Sequence, residues 1–233
     1  MTELVYRTAL IVGAGTGLSA SLARTFSRAG MAVALAARRG GELATLAKEI
    51  GGSAFTCDAT DRAEVARLFA QIDAALGGPD VAVYNASYRT RGPFVELDPA
   101  EVAKSLQVTA FGGFLVAQQA AKRMVPRASG AILFTGASAS VKGYAQSAPF
   151  AMGKFALRGL AQSMARELSP QGVHVAHVVI DGAIRSARRA DSADRPDSTL
   201  DPDAIAQNYL NLLRQPRSAW TWEIELRPWV EKF

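Results

Sequence analysis

The sequence predicts a single α/β domain, a doubly wound parallel sheet with helices on both faces in three layers. The first observation is that apolar runs of strand length alternate with longer segments of helical period about six times along the 233 residues. Parallel strands in this order require right-handed crossovers, whose helices cover both faces. The second is composition, since 49% hydrophobic and 20% charged residues are ordinary for a globular domain. The third is that one cysteine and two histidines argue against a disulfide framework or a metal site rich in cysteine or histidine.

The predicted strands are short apolar runs that end at glycine, at charged residues or at a turn. They cover residues 8–13, 31–37, 54–57, 81–84, 131–135 and 173–180, with a late strand at 222–226. The predicted helices cover residues 18–29, 42–50, 61–76, 99–124, 147–168 and 203–213. Asp98 is the expected N-cap of the long helix, because proline at position 99 suits the first helical position.

Two segments fall outside this alternation. Residues 186–203 combine arginine, aspartate and proline, which indicates a polar loop. Loops of this length inside a compact domain are often functional, so we expect a lid on the substrate side. Residues 220–233 contain all three tryptophans. Because aromatic side chains bury large areas, we expect this tail to form an edge strand or a subunit contact. Residues 1–233 as a whole are interpreted as one domain.

The charge distribution restricts the class of partner. The chain has 26 Lys+Arg against 21 Asp+Glu and a net charge of +5, and the basic residues are scattered. This pattern does not predict nucleic-acid binding. The longest uncharged stretches are too short and too interrupted by glycine and glutamine to predict a membrane span. An acidic residue near the N-terminus does not fit an export signal, so we expect a cytoplasmic protein.

The first strand and the first helix are joined by a glycine-rich turn. Gly13, Gly15 and Gly17 alternate with small residues, and Thr16 and Leu18 complete the approach to the helix. Glycine lets the backbone approach a pyrophosphate closely, and the helix N-terminus offers free N–H groups and the positive end of the dipole. A tight turn without a ligand is the alternative interpretation. The position of the turn at the start of an α/β chain favours nucleotide binding.

The end of the second strand discriminates between nicotinamide coenzymes. A carboxylate there would bind a ribose 2′-hydroxyl and favour NAD(H), but this sequence has Arg38 and Arg39. A guanidinium group matches a 2′-phosphate, so the sequence predicts NADP(H) rather than NAD(H), with Arg38 as the main contact. The alternative is that both arginines are solvated surface charges.

Taken together, the chain resembles the short-chain dehydrogenase/reductase family, whose fold is Rossmann-like. Its first-turn motif is Gly-x-x-x-Gly-x-Gly, and here Gly13 and Gly17 match while Ser19 replaces the third glycine. The resemblance implies an oxidoreductase that acts on a small-molecule carbonyl or alcohol and assembles as a homodimer or homotetramer. It also implies further contacts to the coenzyme, at Asp58 near the adenine, at Asn85 and Ala86, and at Gly182 and Ile184 beside the nicotinamide.

The catalytic positions implied by the resemblance are incomplete. The family has Tyr-x-x-x-Lys on one helix face, and here the motif ends are Phe150 and Lys154. Lys154 is then expected to bind the nicotinamide ribose, whereas a phenylalanine cannot exchange a proton. Ser138 lies where the family has its serine, and Thr109 lies where it has an asparagine.

Two interpretations of function remain open at this stage. The protein is either an oxidoreductase with atypical proton transfer or a catalytically impaired binder of dinucleotides or small ligands. General acid–base catalysis contributes about 10²–10⁴-fold, so loss of the tyrosine does not exclude slow turnover. The candidate replacements for the proton donor are Tyr88, Tyr144, Ser147 and a water molecule bound to Lys154.

Arginines and histidines form two further groups. Five arginines fall in two loops expected at the carboxyl edge of the sheet, and they are Arg89, Arg91, Arg185, Arg188 and Arg189. They could bind an anionic substrate, although the pattern favours solvated loop residues. His174 and His177 have an odd spacing within one strand, so they should face opposite sides and are interpreted as structural.

Overall fold

A computed structural model describes residues 4–186, 189–191 and 194–231. Arg188 lies outside the described residues, as do small parts of the expected lid and the last two residues of the tail. Seven parallel strands form one sheet in the order β3-β2-β1-β4-β5-β6-β7. Helices pack on both faces, which confirms the predicted doubly wound, Rossmann-like sheet.

The helices and strands follow the predicted order along the chain. The strands are β1 (Thr8–Val12), β2 (Ala32–Ala37), β3 (Ser53–Thr56), β4 (Val81–Tyr84), β5 (Gly130–Thr135), β6 (Val173–Ile180) and β7 (Glu223–Leu226). The helices are α1 (Leu18–Arg28), α2 (Ala44–Glu49), α3 (Arg62–Leu76), α4 (Pro99–Leu106), α5 (Gly112–Met124), α6 (Ala148–Leu168) and α7 (Pro202–Leu213).

Two hydrophobic layers hold the sheet. On one face α1 and α7 bury Phe26 and Tyr209 against the strands. On the other face α3, α5 and α6 bury Phe69, Met124 and Leu157. The central strands are buried on both sides, which explains why they read as continuous apolar runs in the sequence. The sheet reverses its direction of growth between β1 and β4, and ligands of open α/β sheets bind at the carboxyl ends of the strands at such a point.

The segment predicted as one long helix at 99–124 is divided, so this prediction was wrong in detail. A π-helical turn, Gln107–Phe111, separates α4 from α5. The Tyr84 hydroxyl donates a hydrogen bond to the Val108 carbonyl within this turn. A side chain at Gly112 would collide with the same hydroxyl. The wide turn therefore accommodates a buried tyrosine of the sheet, a tertiary contact that helical periodicity does not reveal. Asp98 caps α4 as predicted, by accepting from the Ala100 N–H at 2.9 Å.

The C-terminal tail adds β7 in parallel beside β6, at one edge of the sheet. Two buried histidines of β6 contact this C-terminal tail. The His174 ring stacks on Trp220 at a centroid distance of 4.8 Å, and its Nε2 lies 2.9 Å from the Thr221 carbonyl. His177 Nδ1 lies 3.0 Å from Glu223 Oε2. Within the described part of the chain, no helix combines the length and hydropathy needed to cross a bilayer.

Candidate active site

A groove of about 430 Å³ lies at the carboxyl ends of β1, β2 and β4. It is lined by glycine, polar and apolar residues, mostly from the turns that follow these strands. Among them are eight residues predicted to bind a coenzyme: Gly13, Gly15, Thr16, Arg38, Arg39, Asp58, Asn85 and Ala86. The tertiary structure thus brings together segments that are far apart in the sequence.

The glycine-rich turn forms the floor of this groove. Gly13 has φ +83°, and a side chain there would overlap the backbone of Ala86, so only glycine fits. Around Gly15 and Gly17 no protein atom lies within 4 Å of an added Cβ, so side chains would project into open space. No side chain caps the N-terminus of α1. The turn therefore keeps room and free N–H groups for a phosphate, as the coenzyme would require.

Ser19, which stands in place of the third motif glycine, joins this turn to β4. Its hydroxyl donates to the Gly13 carbonyl at 3.1 Å and accepts from Asn85 Nδ2 at 2.7 Å. The sequence marked Ser19 only as a departure from a motif. Its role in holding the turn could not be found without the position of Asn85.

The two arginines at the end of β2 differ in their partners. Arg39 pairs with Glu42 at 3.1 Å and its side chain is 80% exposed. Arg38 lines the same groove and makes no ion pair within the described residues. Its guanidinium is therefore the available cation at this end of the groove. The Asp58 carboxylate, across the groove, accepts from the backbone N–H and the hydroxyl of Thr60 and so orders its own loop.

A second cavity, of about 410 Å³, adjoins the groove at Asn85 and Ser87. It contains the remaining predicted site residues except one: Gly17, Leu18, Ser138, Phe150, Lys154, Gly182 and Ile184. Thr109 does not line either cavity. It is fully buried, its hydroxyl accepts from the Tyr88 N–H at 3.2 Å, and it packs against Gly153. Its hydrogen bond to Tyr88 and its contact with Gly153, the neighbour of Lys154, indicate that it supports the backbone around the second cavity.

Lys154 and Phe150 lie one turn apart on α6 and face the second cavity. Lys154 is only 3% exposed, and its Nζ donates to the Thr135 carbonyl at 2.7 Å. Burial lowers the pKa of this ammonium group to about 8, because desolvation disfavours its charged form. The Phe150 ring centroid lies 5.7 Å from Lys154 Nζ and 4.9 Å from Arg89 Cζ.

Comparison with known proteins identifies the family. Residues 7–196 match the short chain dehydrogenase family. The chain belongs to this family. Its sequence is 26% identical over 234 residues to an uncharacterised oxidoreductase of Staphylococcus aureus, with 98% of this chain and 100% of the relative covered. Members of the family bind nicotinamide coenzymes, and in this chain a glycine-rich turn lines the first groove.

Two solved structures are similar over almost the whole length. A short-chain dehydrogenase from Rhodopseudomonas palustris has 36% identity and a TM-score of 0.82, with 96% of this chain and 99% of that chain covered. A metagenomic short-chain oxidoreductase, solved in complex with NADP, has 28% identity and a TM-score of 0.83, with 95% and 97% covered.

The alternative proton donors in this short-chain dehydrogenase occupy different surroundings. The Tyr88 hydroxyl donates to Glu101 and accepts from Lys104. Tyr144 is 46% exposed and does not line the cavity. The Ser147 hydroxyl is buried without a hydrogen-bond partner among the described residues, but it also lies outside the lining. Of the four sequence candidates, the lysine position is the one that borders the cavity.

Proposed function

We propose that this short-chain dehydrogenase is an NADP(H)-dependent oxidoreductase that interconverts a carbonyl and an alcohol without a tyrosine hydroxyl. The observation that carries the proposal is the placement of buried Lys154 in a cavity that adjoins the glycine-lined groove. A nicotinamide coenzyme bound there supplies or accepts the hydride. The small-molecule substrate then occupies the remainder of the second cavity.

The preference for NADP(H) rests on Arg38. The guanidinium is free to form a charge-assisted pair with a 2′-phosphate, and it occupies the position directly after β2, where a carboxylate would suit a ribose diol. The solved relative in complex with NADP supports the same assignment. The Gly13–Gly17 turn and α1 hold the pyrophosphate, Asp58 lies on the adenine side, and Gly182 and Ile184 flank the nicotinamide.

Proton transfer is assigned to Lys154. In the reducing direction hydride adds to the carbonyl carbon, and the developing alkoxide takes a proton from the ammonium group, which solvent water then reprotonates. In the oxidising direction the neutral amine accepts the alcohol proton. A pKa of about 8 suits both roles near neutral pH. The Ser138 hydroxyl, which lines the same cavity, orients the substrate oxygen.

The second candidate function is a binder of dinucleotides that does not turn over. The observation that favours it is Phe150, since its ring faces the cavity without a group that exchanges protons. One assay distinguishes the oxidoreductase from the binder. The protein is mixed with NADPH and a broad panel of carbonyl compounds, and the absorbance of the reduced coenzyme is followed. Consumption that Lys154→Met abolishes supports the oxidoreductase, whereas NADPH affinity without consumption supports the binder.

A lid and an assembly complete the proposal. Residues 186–203 are proposed to act as a lid over the substrate, and the bridge between Ile184 and Leu200 supports this, because Ile184 lines the second cavity. Large apolar side chains on α5 and α6 and in the π-helical turn are exposed, including Phe111, Phe114 and Phe155. Exposed apolar side chains of this size suit contact with a second copy of the chain, so we propose a homodimer or homotetramer.

A further inference from the structure

The second cavity has an unbalanced charge. Its lining contains Lys154, Arg89, Arg185 and Arg189, and the described lining residues include no aspartate or glutamate. The charge of Arg185 is neutralised by two aspartates that do not line the cavity. Arg185 forms ion pairs with Asp191 at 3.7 Å and with Asp201 at 2.5 Å. Within the described part of the chain, Arg89 and Arg189 have no such carboxylate partner. Positive charge therefore remains available where a substrate would lie.

Arg89 differs from the structural arginines of this protein. Arg24, Arg123 and Arg158 each bind a carboxylate through two guanidinium nitrogens. Arg89 instead has its guanidinium carbon 4.9 Å from the centroid of the Phe150 ring. An aromatic face holds a guanidinium by cation–π attraction and leaves its N–H groups free to donate. The Phe150 ring thus fixes the position of the Arg89 guanidinium without neutralising its charge.

The immediate surroundings of Arg89 favour a negative ligand. Partial burial lowers its pKa, and the nearby charges of Arg91 and Arg189 lower it further. Like charges that converge without a counter-ion repel one another, and a bound anion relieves this repulsion. A planar guanidinium also matches the two oxygens of a carboxylate or the oxygens of a phosphate.

We propose that the substrate carries an anionic group, a carboxylate or a phosphate, and that Arg89, held against Phe150, binds it beside Lys154. This proposal rests on the proposed oxidoreductase function because it assigns the substrate class of the same site. Phe150 then has a positioning role, since its ring orients the anchor. Arg89 determines specificity, and Arg189 contributes charge from the opposite loop.

The test measures two quantities, the reduction of charged and neutral substrates and the binding of anions. Reduction of a 2-oxo acid by NADPH is compared with reduction of the corresponding neutral 2-oxo amide, in the natural protein, Arg89→Gln and Arg91→Gln. Arg91 belongs to the same loop and adds positive charge near Arg89, but it does not line the cavity, so its variant separates the loss of a nearby charge from the loss of the anchor itself. We expect Arg89→Gln to lower the kcat/KM preference for the charged substrate by about 10- to 100-fold, and Arg91→Gln by less than about threefold, because a charge-assisted pair is lost only in the first.

Binding is measured separately by calorimetry with oxamate, inorganic phosphate and neutral oxamide at matched ionic strength, with and without NADPH. The expected result is binding of at least one anion that weakens in Arg89→Gln and persists in Arg91→Gln, and the two anions distinguish the carboxylate from the phosphate. The proposal is overturned if neither anion binds, or if both variants bind alike. Anion binding through Arg89 in a protein without NADPH affinity would refute the oxidoreductase function alone. Reduction of neutral carbonyls only would refute the substrate class alone.

Discussion

Lys154 Nζ lies 5.7 Å from the centroid of the Phe150 ring, and the two residues are one helical turn apart on α6. A buried ammonium group therefore faces a phenyl ring at the edge of the second cavity. The ring offers no proton, so the lysine is the titratable group at this point of α6. This relationship determines the behaviour expected of the site.

Restoring a hydroxyl at position 150 should increase turnover. In Phe150→Tyr the nearby Lys154 charge would lower the tyrosine pKa and make it a general acid. Because Lys154 already donates a proton in the natural protein, we expect only a part of the general-acid contribution, a rise of about 10-fold in kcat for carbonyl reduction, measured from NADPH absorbance. Phe150→Leu is the control for the loss of the native ring. A rise of about 10³-fold or more with unchanged NADPH affinity would show that the natural protein lacks a working proton donor, and it would contradict the assignment to Lys154.

The reduction rate should fall in alkaline solution because Lys154 must be protonated to act as an acid. Its pKa of about 8 predicts that kcat/KM is constant below pH 8 and then decreases about tenfold per pH unit. In Lys154→Arg the decrease should move far to higher pH, since an arginine stays protonated. A profile that is flat to pH 10 in the natural protein would exclude this lysine as the donor.

Arg38 and Arg39 should differ in their effect on coenzyme preference. Arg38→Ala should weaken NADPH binding by about 10- to 100-fold and leave NADH binding almost unchanged, because one charge-assisted contact is lost. Arg39→Ala, which removes a residue already paired with Glu42, should have a smaller effect. Fluorescence titration with both coenzymes measures the difference. Equal losses in the two variants would refute the assignment of the 2′-phosphate to Arg38.

His177 should make the fold sensitive to acid. Burial lowers its pKa to about 4, so between pH 6.5 and 4 the unfolded chain binds a proton that the folded protein does not. Folding stability from this residue is therefore intact above pH 6.5 and declines as the pH falls toward 4, by about 3 kcal/mol. Urea unfolding at several pH values should show this slope, and His177→Gln should reduce it. The same slope in both proteins would assign the acid sensitivity elsewhere.

The exposed aromatic pair at the junction of the π-helical turn and α5 should mediate self-association. Phe111 and Phe114 stack at a centroid distance of 6.1 Å and remain partly exposed. Light scattering should give a multiple of the 24.7 kDa chain mass for the natural protein and the single-chain mass for Phe114→Asp. Phe94→Asp changes an exposed phenylalanine outside α5 and α6 and serves as the control. A natural protein with the mass of one chain would refute the proposed assembly.

Local sequence was sufficient for most elements because their signals are local. Apolar runs predicted β4 and β6 at their observed ends, and the Asp98 cap was confirmed. Helical periodicity failed at the π-helical turn, where the Tyr84 hydroxyl of a neighbouring strand binds the Val108 carbonyl. In the site, residue types and their order identified the glycine turn and Lys154. The sequence did not predict that Thr109 lines neither cavity or that Ser19 links the turn to Asn85.

The sequence by itself determined the alternation of strands and helices, the glycine-rich turn and the absence of a hydroxyl at position 150, because each depends on residue identity over a few positions. Only the tertiary structure decided which of several charged residues are free to act. Arg39 and Arg185 are paired with carboxylates, whereas Arg38 and Arg89 have no ion pair within the described residues. The physical reason is that pairing and desolvation depend on distances between remote segments, which the fold alone establishes.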